Sequence, residues 1–197
     1  MIGSSQYQLA KYLSSILQPV LELYSEYCVK DSFTFTNTLH NLDRNPMESF
    51  LCSFDITSLF SNVPLSETIQ ICADSLYDGK LIPPNFSKKT FIQLLYSATK
   101  SVQFSFNEVM YQQIDGVAMG NPLEPTLANI FVGYHETKLF NKITKPLVYF
   151  RYVDDTFAIF RSESDGIQFH FQLNSLHSSL AFTTEKKRTV NFHFLTS

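Results

Sequence analysis

The sequence predicts a mixed α+β fold in which antiparallel strands carry helices packed on one face. Three observations lead there. Several stretches repeat apolar residues at three- and four-residue spacing, the mark of amphipathic helices. Between them lie short runs rich in β-branched and aromatic residues, in a chain with 19 Phe, 10 Tyr and no Trp, and such residues favour strands. The third is the stretch from Pro146 to Phe160, where two apolar runs flank the adjacent acids Asp154 and Asp155. That pattern reads as a hairpin with two carboxylates at its tip. Like charges on a tight turn repel, and a divalent cation is their simplest compensation. An arbitrary Asp-Asp is usually only a polar turn, so the rest of the chain must decide.

Ser5 with Gln8 three residues on has the form of a capping box. Leu9, Tyr12, Leu13, Ile16, Leu17, Val20, Leu21 and Tyr24 then keep helical spacing, which predicts a packing helix kinked or restarted near Pro19. Phe50 to Ile56 reads as a buried strand that ends by presenting the carboxylate of Asp55, since aspartate is otherwise a poor strand residue. After Pro64, the residues Leu65, Ile69, Cys72 and Leu76 form a helical stripe stopped at Gly79. Pro83-Pro84 breaks the chain, and Ser87 caps a helix carrying Phe91, Leu94, Leu95 and Ala98.

Val102, Phe104 and Phe106 alternate with polar residues, and Val109 to Ile114 return after Asn107-Glu108, which makes a hairpin. Asp115-Gly116 turns the chain into a Gly/Pro loop over residues 116–125, followed by a helix with Leu127, Ile130, Phe131 and Tyr134. The Asp-Asp hairpin comes next, then a helix with Phe169, Leu173 and Leu176. A final strand pair, near Leu180–Thr184 and Thr189–Leu195, is expected to enclose Lys186-Lys187-Arg188 as a turn.

The bulk numbers exclude several classes. With 197 residues, 44% hydrophobic and 17% charged, the chain fits an ordered globular protein of one core or two lobes. A net charge of −3 argues against a free-standing nucleic-acid binder held by its own basic surface. Cys28, Cys52 and Cys72 lack CxxC spacing, and the five His lack ligand-like spacing, so disulfide and zinc frameworks are not expected. No stretch is long or apolar enough to cross a membrane, and the N-terminus lacks a signal-peptide pattern. The expected location is the nucleus or the cytoplasm.

Three pieces combine in order: a strand ending in Asp55, a Gly/Pro loop opening a helix, and the hairpin with Asp154-Asp155. They resemble the A, B and C motifs of reverse transcriptases, and the wording is closest to Penelope-like retroelements. The segment Ser53-Phe54-Asp55-Ile56-Thr57-Ser58-Leu59-Phe60-Ser61-Asn62-Val63-Pro64 is similar to motif A of that family. Met119-Gly120-Asn121-Pro122-Leu123 with Ala128-Asn129-Ile130-Phe131 resembles motif B, and Arg151-Tyr152-Val153-Asp154-Asp155 resembles motif C. Phe182-Thr183-Thr184-Glu185 and Val190-Asn191-Phe192-His193-Phe194-Leu195 are similar to the segment that follows the palm.

The resemblance implies an RNA-directed DNA polymerase domain that adds dNTPs to a DNA primer on an RNA template, using two Mg²⁺ ions with Mn²⁺ as a substitute. It implies a palm over residues 50–197, with residues 1–49 as a partial fingers and helical lead-in. Asp55, Asp154 and Asp155 are its catalytic acids. Asp55 and Asp154 would bridge the ions, Asp155 is the less directly bound third acid, and Ile56 would lend its backbone carbonyl. Phe60, five residues after Asp55, stands where an aromatic ring excludes a 2′-hydroxyl; taken alone it reads as a core aromatic. Met119, Gly120, Asn121 and Pro122 form the nucleotide-binding loop, where glycine lets backbone approach the ligand. Arg151 reads equally as a primer or template contact or as the partner of a neighbouring acid. Lys186, Lys187 and Arg188 are further candidates for primer contact, although such a run is usually a solvated turn.

Asn121 and Glu124 stand where the family usually has Ser, and Thr196 where it usually has Asp. Glu124 at a helix start is compatible with the dipole, yet would face nucleic-acid phosphates. The chain reads as a fragment lacking the upstream fingers segment, the thumb and the GIY-YIG endonuclease. Two other readings compete: a catalytically dead remnant or domesticated binding module with the palm fold, and another palm enzyme such as an RNA-dependent RNA polymerase or nucleotide cyclase.

Overall fold

A computed structural model of the chain describes residues 5–40, 49–99, 103–112, 116–117 and 120–190. The chain runs through α1 (Ser5–Ile16), α2 (Gln18–Leu23), α3 (Ser32–His40) and β1 (Ser49–Ile56), then α4 (Leu59–Asn62), α5 (Leu65–Tyr77) and α6 (Lys88–Thr99). The hairpin of β2 (Gln103–Phe106) and β3 (Val109–Gln112) precedes α7 (Glu124–Phe140). After it come β4 (Val148–Tyr152), β5 (Asp155–Phe160), α8 (Glu163–Asn174) and β6 (Phe182–Val190). These elements form two compact units, Met1–Glu26 with Ser58–Tyr134, and Tyr27–Thr57 with His135–Ser197.

The first unit is mostly helical. The expected restart at Pro19 occurs as a break between α1 and α2, with the proline in the first turn of α2, where its missing N–H costs no helical bond. Ala10, Leu13, Leu17 and Val20 are buried on one stripe. Leu65, Ile69, Cys72 and Leu76 are all buried along α5, which ends at Tyr77 with Asp78 as its C-cap, just before Gly79. Ser87 caps α6 as expected, its Oγ accepting the Thr90 N–H at 3.1 Å. In the β2–β3 hairpin both turn residues, Asn107 and Glu108, have positive φ (47° and 63°), the pattern of a type I′ turn whose twist suits antiparallel strands. Helix α7 is buried at Leu127, Ala128, Ile130, Phe131 and Val132, so it is wrapped almost all round rather than amphipathic. At Gly133 a Cβ would stand only 2.1 Å from the Tyr24 carbonyl oxygen, and glycine is what allows α7 to approach that backbone so closely.

The second unit is built on an antiparallel sheet of order β4-β5-β1-β6. Along β1, Phe50, Cys52, Phe54 and Ile56 are buried, whereas Leu51, Ser53 and Asp55 are half-buried. The period of two puts the first set on one face and Asp55 on the other. Helix α8 covers the buried face. Its Phe169 meets the rings of Phe54, Phe160, Tyr149 and Phe140 at 5.3–6.1 Å between centroids. On the opposite face Phe35 of α3 meets Phe150 and Phe157 edge-on.

One expectation is corrected. Lys186-Lys187-Arg188 is not a turn between two strands. It lies within β6, opposite Ser53, Cys52 and Leu51 of β1, with a register shift between Ser53 and Phe54. The free hydrogen-bonding side of β1 is satisfied by a continuous strand, and basic residues are well tolerated at a sheet edge. Residues 191–197, which include most of the second predicted strand and Thr196, lie outside the described residues, as do Val102 and 113–115.

Candidate active site

The register of β1 and β5 places Asp55 directly opposite Asp155. Facing residues in an antiparallel pair project to the same side, so both carboxylates stand on the face away from α8. Tyr152 pairs with Asp155, which leaves Val153 and Asp154 as the two residues of the hairpin turn. The turn is tied to β1 by the Ile56 N–H, which donates to the Asp154 carbonyl at 3.0 Å. Thr156 Oγ1 donates to the Phe54 carbonyl at 3.0 Å from a buried position, and Thr57 N–H donates to the Ala181 carbonyl at 2.9 Å. The end of β1 is therefore held from both sides, and the three acids meet at one end of the sheet.

Their crowding has an electrostatic signature. The Asp155 carboxyl is pushed above the ordinary aspartate range, first by desolvation and then by the charges of Asp154 and Asp55. All three causes act in the same direction, as they must where carboxylates crowd together. The donors are all oxygen, the set that suits a hard divalent ion such as Mg²⁺ or Mn²⁺.

Val153 has φ of +57°, unfavourable for a β-branched residue and a cost of about 1–3 kcal/mol. The neighbouring Arg151 accounts for its retention. Arg151 is fully buried and takes the acid-pairing alternative, its Nε donating to Glu136 Oε1 at 2.9 Å. Its Nη1 donates to the Val153 carbonyl at 3.0 Å, and its Nη2 lies 3.0 Å from Cys28 Sγ. Tyr149 Oη donates to the same Glu136 oxygen at 2.7 Å. Burial, and then the Glu136 charge, hold the Tyr149 phenol well above its usual range. A guanidinium so enclosed is not placed to touch primer or template, so that alternative is corrected. Sequence reasoning missed Glu136, Tyr149 and Cys28 as its neighbours. The available signal was an acid on the buried stretch of α7 and a base inside an apolar strand, each of which needs a partner.

The predicted nucleotide loop belongs to the first unit. Phe60 is half-buried in α4, and its carbonyl accepts the Val117 N–H at 2.9 Å. Gly116, with φ of +79°, lies so close to the Phe60 and Ser61 carbonyls that a Cβ would collide with them. Met119 lies outside the described residues. Gly120 is exposed with φ of +82° and open space where a Cβ would be. Asn121 is turned inward, its Nδ2 donating to the Ala98 carbonyl and its Oδ1 accepting the Leu123 N–H, both at 2.9 Å. Its amide therefore caps α7 rather than facing a nucleotide. Pro122 is half-buried. Glu124 Oε2 accepts the Gly120 N–H at 2.8 Å, so with Asn121 it closes the helix start in the manner of a capping box. For Lys186, Lys187 and Arg188 only the strand register is described.

Residues 4–194 match the model of the family described as reverse transcriptase (RNA-dependent DNA polymerase). The chain belongs to the reverse transcriptase family. No curated protein matches the sequence. Among solved structures, this reverse transcriptase domain is similar to telomerase from Candida albicans in complex with a TWJ fragment of telomeric RNA, at TM-score 0.67 and 16% identity over 99% of this chain and 35% of that one. It is also similar to apo telomerase from Candida tropicalis, at TM-score 0.67 and 15% identity over 93% of this chain and 37% of that one. A third is the BmCPV RNA-dependent RNA polymerase at quiescent state, at TM-score 0.60 and 12% identity over 90% of this chain and 18% of that one. The chain thus spans about a third of the length of the telomerases it matches, and these likenesses concern the fold. It is a reverse-transcriptase-like palm fold, α+β.

Proposed function

We propose that this domain catalyses RNA-directed DNA synthesis, as part of a Penelope-like retroelement polymerase that extends a DNA primer on an RNA template. The observation that carries the reading is the pairing of Asp55 with Asp155 beside a turn that bears Asp154. Membership of the reverse transcriptase family supports it. Residues 1–49 would be a partial fingers lead-in and 50–197 the palm.

When bound, a pair of Mg²⁺ ions would neutralise charge on the phosphates and make the primer 3′-oxygen a better nucleophile. Asp55 and Asp154 would be the main carboxylates holding that pair, with the Ile56 carbonyl and Asp155 as further, less direct oxygen donors. The chain's own contribution is positioning: a sheet end clamped on both sides holds the acids in place before substrate arrives. Phe60 is assigned to fill the space of a 2′-hydroxyl, and the backbone of the loop at Gly120 to approach the incoming dNTP. Glu124, engaged with the Gly120 N–H, is accounted for by the loop it closes, which removes one reason for reading the chain as a dead remnant.

The test is single-nucleotide extension of a DNA primer annealed to RNA, with Mg²⁺ or Mn²⁺, by this domain joined to fingers and thumb segments, since on its own it is expected to be weakly active or inactive. The expected result is dNTP addition by the wild type, loss with Asp154→Asn, and admission of rNTPs with Phe60→Ala. Undiminished extension by Asp154→Asn would sink the metal assignment. A wild-type preference for rNTPs would move the reading to an RNA-dependent RNA polymerase.

A further inference from the structure

We infer that Glu136 and Arg151 form a positioning brace that sets the hairpin tip, and through it Asp154 and Asp155, in the geometry a divalent cation requires. The inference rests on the reading of those acids as metal ligands. Its basis is the connectivity of one buried guanidinium. Glu136 and Arg151 are both fully buried, and the carboxylate fixes the guanidinium at Nε. The planar fork then delivers Nη1 to the carbonyl of Val153, the residue just before Asp154. Val153 holds a backbone conformation that its side chain disfavours, in a two-residue turn whose first position suits glycine when only that residue has positive φ. A turn of this kind persists only where its surroundings over-determine it.

The main chain of Arg151 is fixed as well. Its N–H donates to the Tyr27 carbonyl at 2.8 Å and its carbonyl accepts the Val29 N–H at 2.9 Å. The guanidinium thus links a strand position locked at both backbone groups to a strained tip. Lysine could neutralise Glu136 but could not also reach the Val153 carbonyl in the same plane, because it has one donor centre where arginine has a rigid fork.

Two variants of the full chain test the brace. Arg151→Lys keeps the cation for Glu136. The double variant Glu136→Gln, Arg151→Met removes both charges together, a change that buried pairs often tolerate. Amide hydrogen exchange is read at Asp154 and Asp155 in metal-free protein, and Mn²⁺ binding is read by electron paramagnetic resonance. Both variants are expected to speed exchange at the tip by about tenfold or more over the rest of β4 and β5, and to weaken Mn²⁺ binding by about 10–100-fold, the range for loss of an outer-shell support. Unchanged exchange at the tip in either folded variant overturns the brace. Because exchange needs no metal, a wild type that binds no Mn²⁺ would instead defeat the reading of the acids, with the brace still judged on its own measurement.

Discussion

Asp155 is the residue whose chemistry is most exposed to experiment. Its carboxyl keeps its proton to a higher pH than an ordinary aspartate, because desolvation and two neighbouring acids disfavour the charge. The sign of the consequence follows from linkage. As pH falls through the raised value, the folded chain takes up this proton before the unfolded chain does, so in metal-free protein this group's contribution to stability improves on the way down. Cation binding needs the carboxylate ionised, so Mn²⁺ affinity should weaken over the same descent. Thermal melts with and without Mn²⁺ across this acidic range should converge as pH drops. Asp155→Asn should raise the metal-free melting temperature and shrink the gain that Mn²⁺ brings. Opposite slopes would mean that the three acids do not share a field.

At the scale of elements, close approach is the feature to probe. Gly133→Ala would force a methyl group to within 2.1 Å of the Tyr24 carbonyl oxygen, and backbone cannot yield as a side-chain tip can. Overpacking of this kind costs about 1–3 kcal/mol, to be read as a lower urea midpoint with unchanged slope. Elements also explain what the sequence could disclose. Strand β1 was legible because its alternation is set by one buried face, and α5 because Leu65, Ile69, Cys72 and Leu76 all turn inward. Helix α3 was not, since Phe33 is exposed while Phe35, two residues on, touches the sheet face, a spacing that gives no helical stripe to detect. Its one local signal was Asp31, whose carboxylate accepts the Thr34 N–H at 2.7 Å. Strand β6 was misread because three basic residues look like a turn when their strand partner is unknown. That Asp55 and the Asp154-Asp155 turn come together was legible from the motifs, whereas the link between Glu136 and Arg151 exists only once helix and strand are assembled.

For the whole molecule, charge sets the expectation for nucleic acid. With 15 Lys and Arg against 18 Asp and Glu, the chain has few cations to exchange for phosphate counterions. Its affinity for an RNA–DNA hybrid should therefore fall only about tenfold or less between 50 and 200 mM salt, where a protein with many phosphate contacts loses far more. Fluorescence anisotropy at the two salt concentrations measures this, and a steep loss would reveal a basic track on the domain. Among the described residues no helix is long and apolar enough to cross a membrane.

The short segment around Cys28 carries one more implication. By exchanging backbone bonds with Arg151 it forms an isolated parallel bridge on the outer side of β4, so the unpaired margin of the sheet is occupied there by the chain's own residues. A second molecule seeking to extend the sheet by adding a strand there would find that border already stitched. Resistance to fibril-like self-association on that margin thus comes from a backbone clasp.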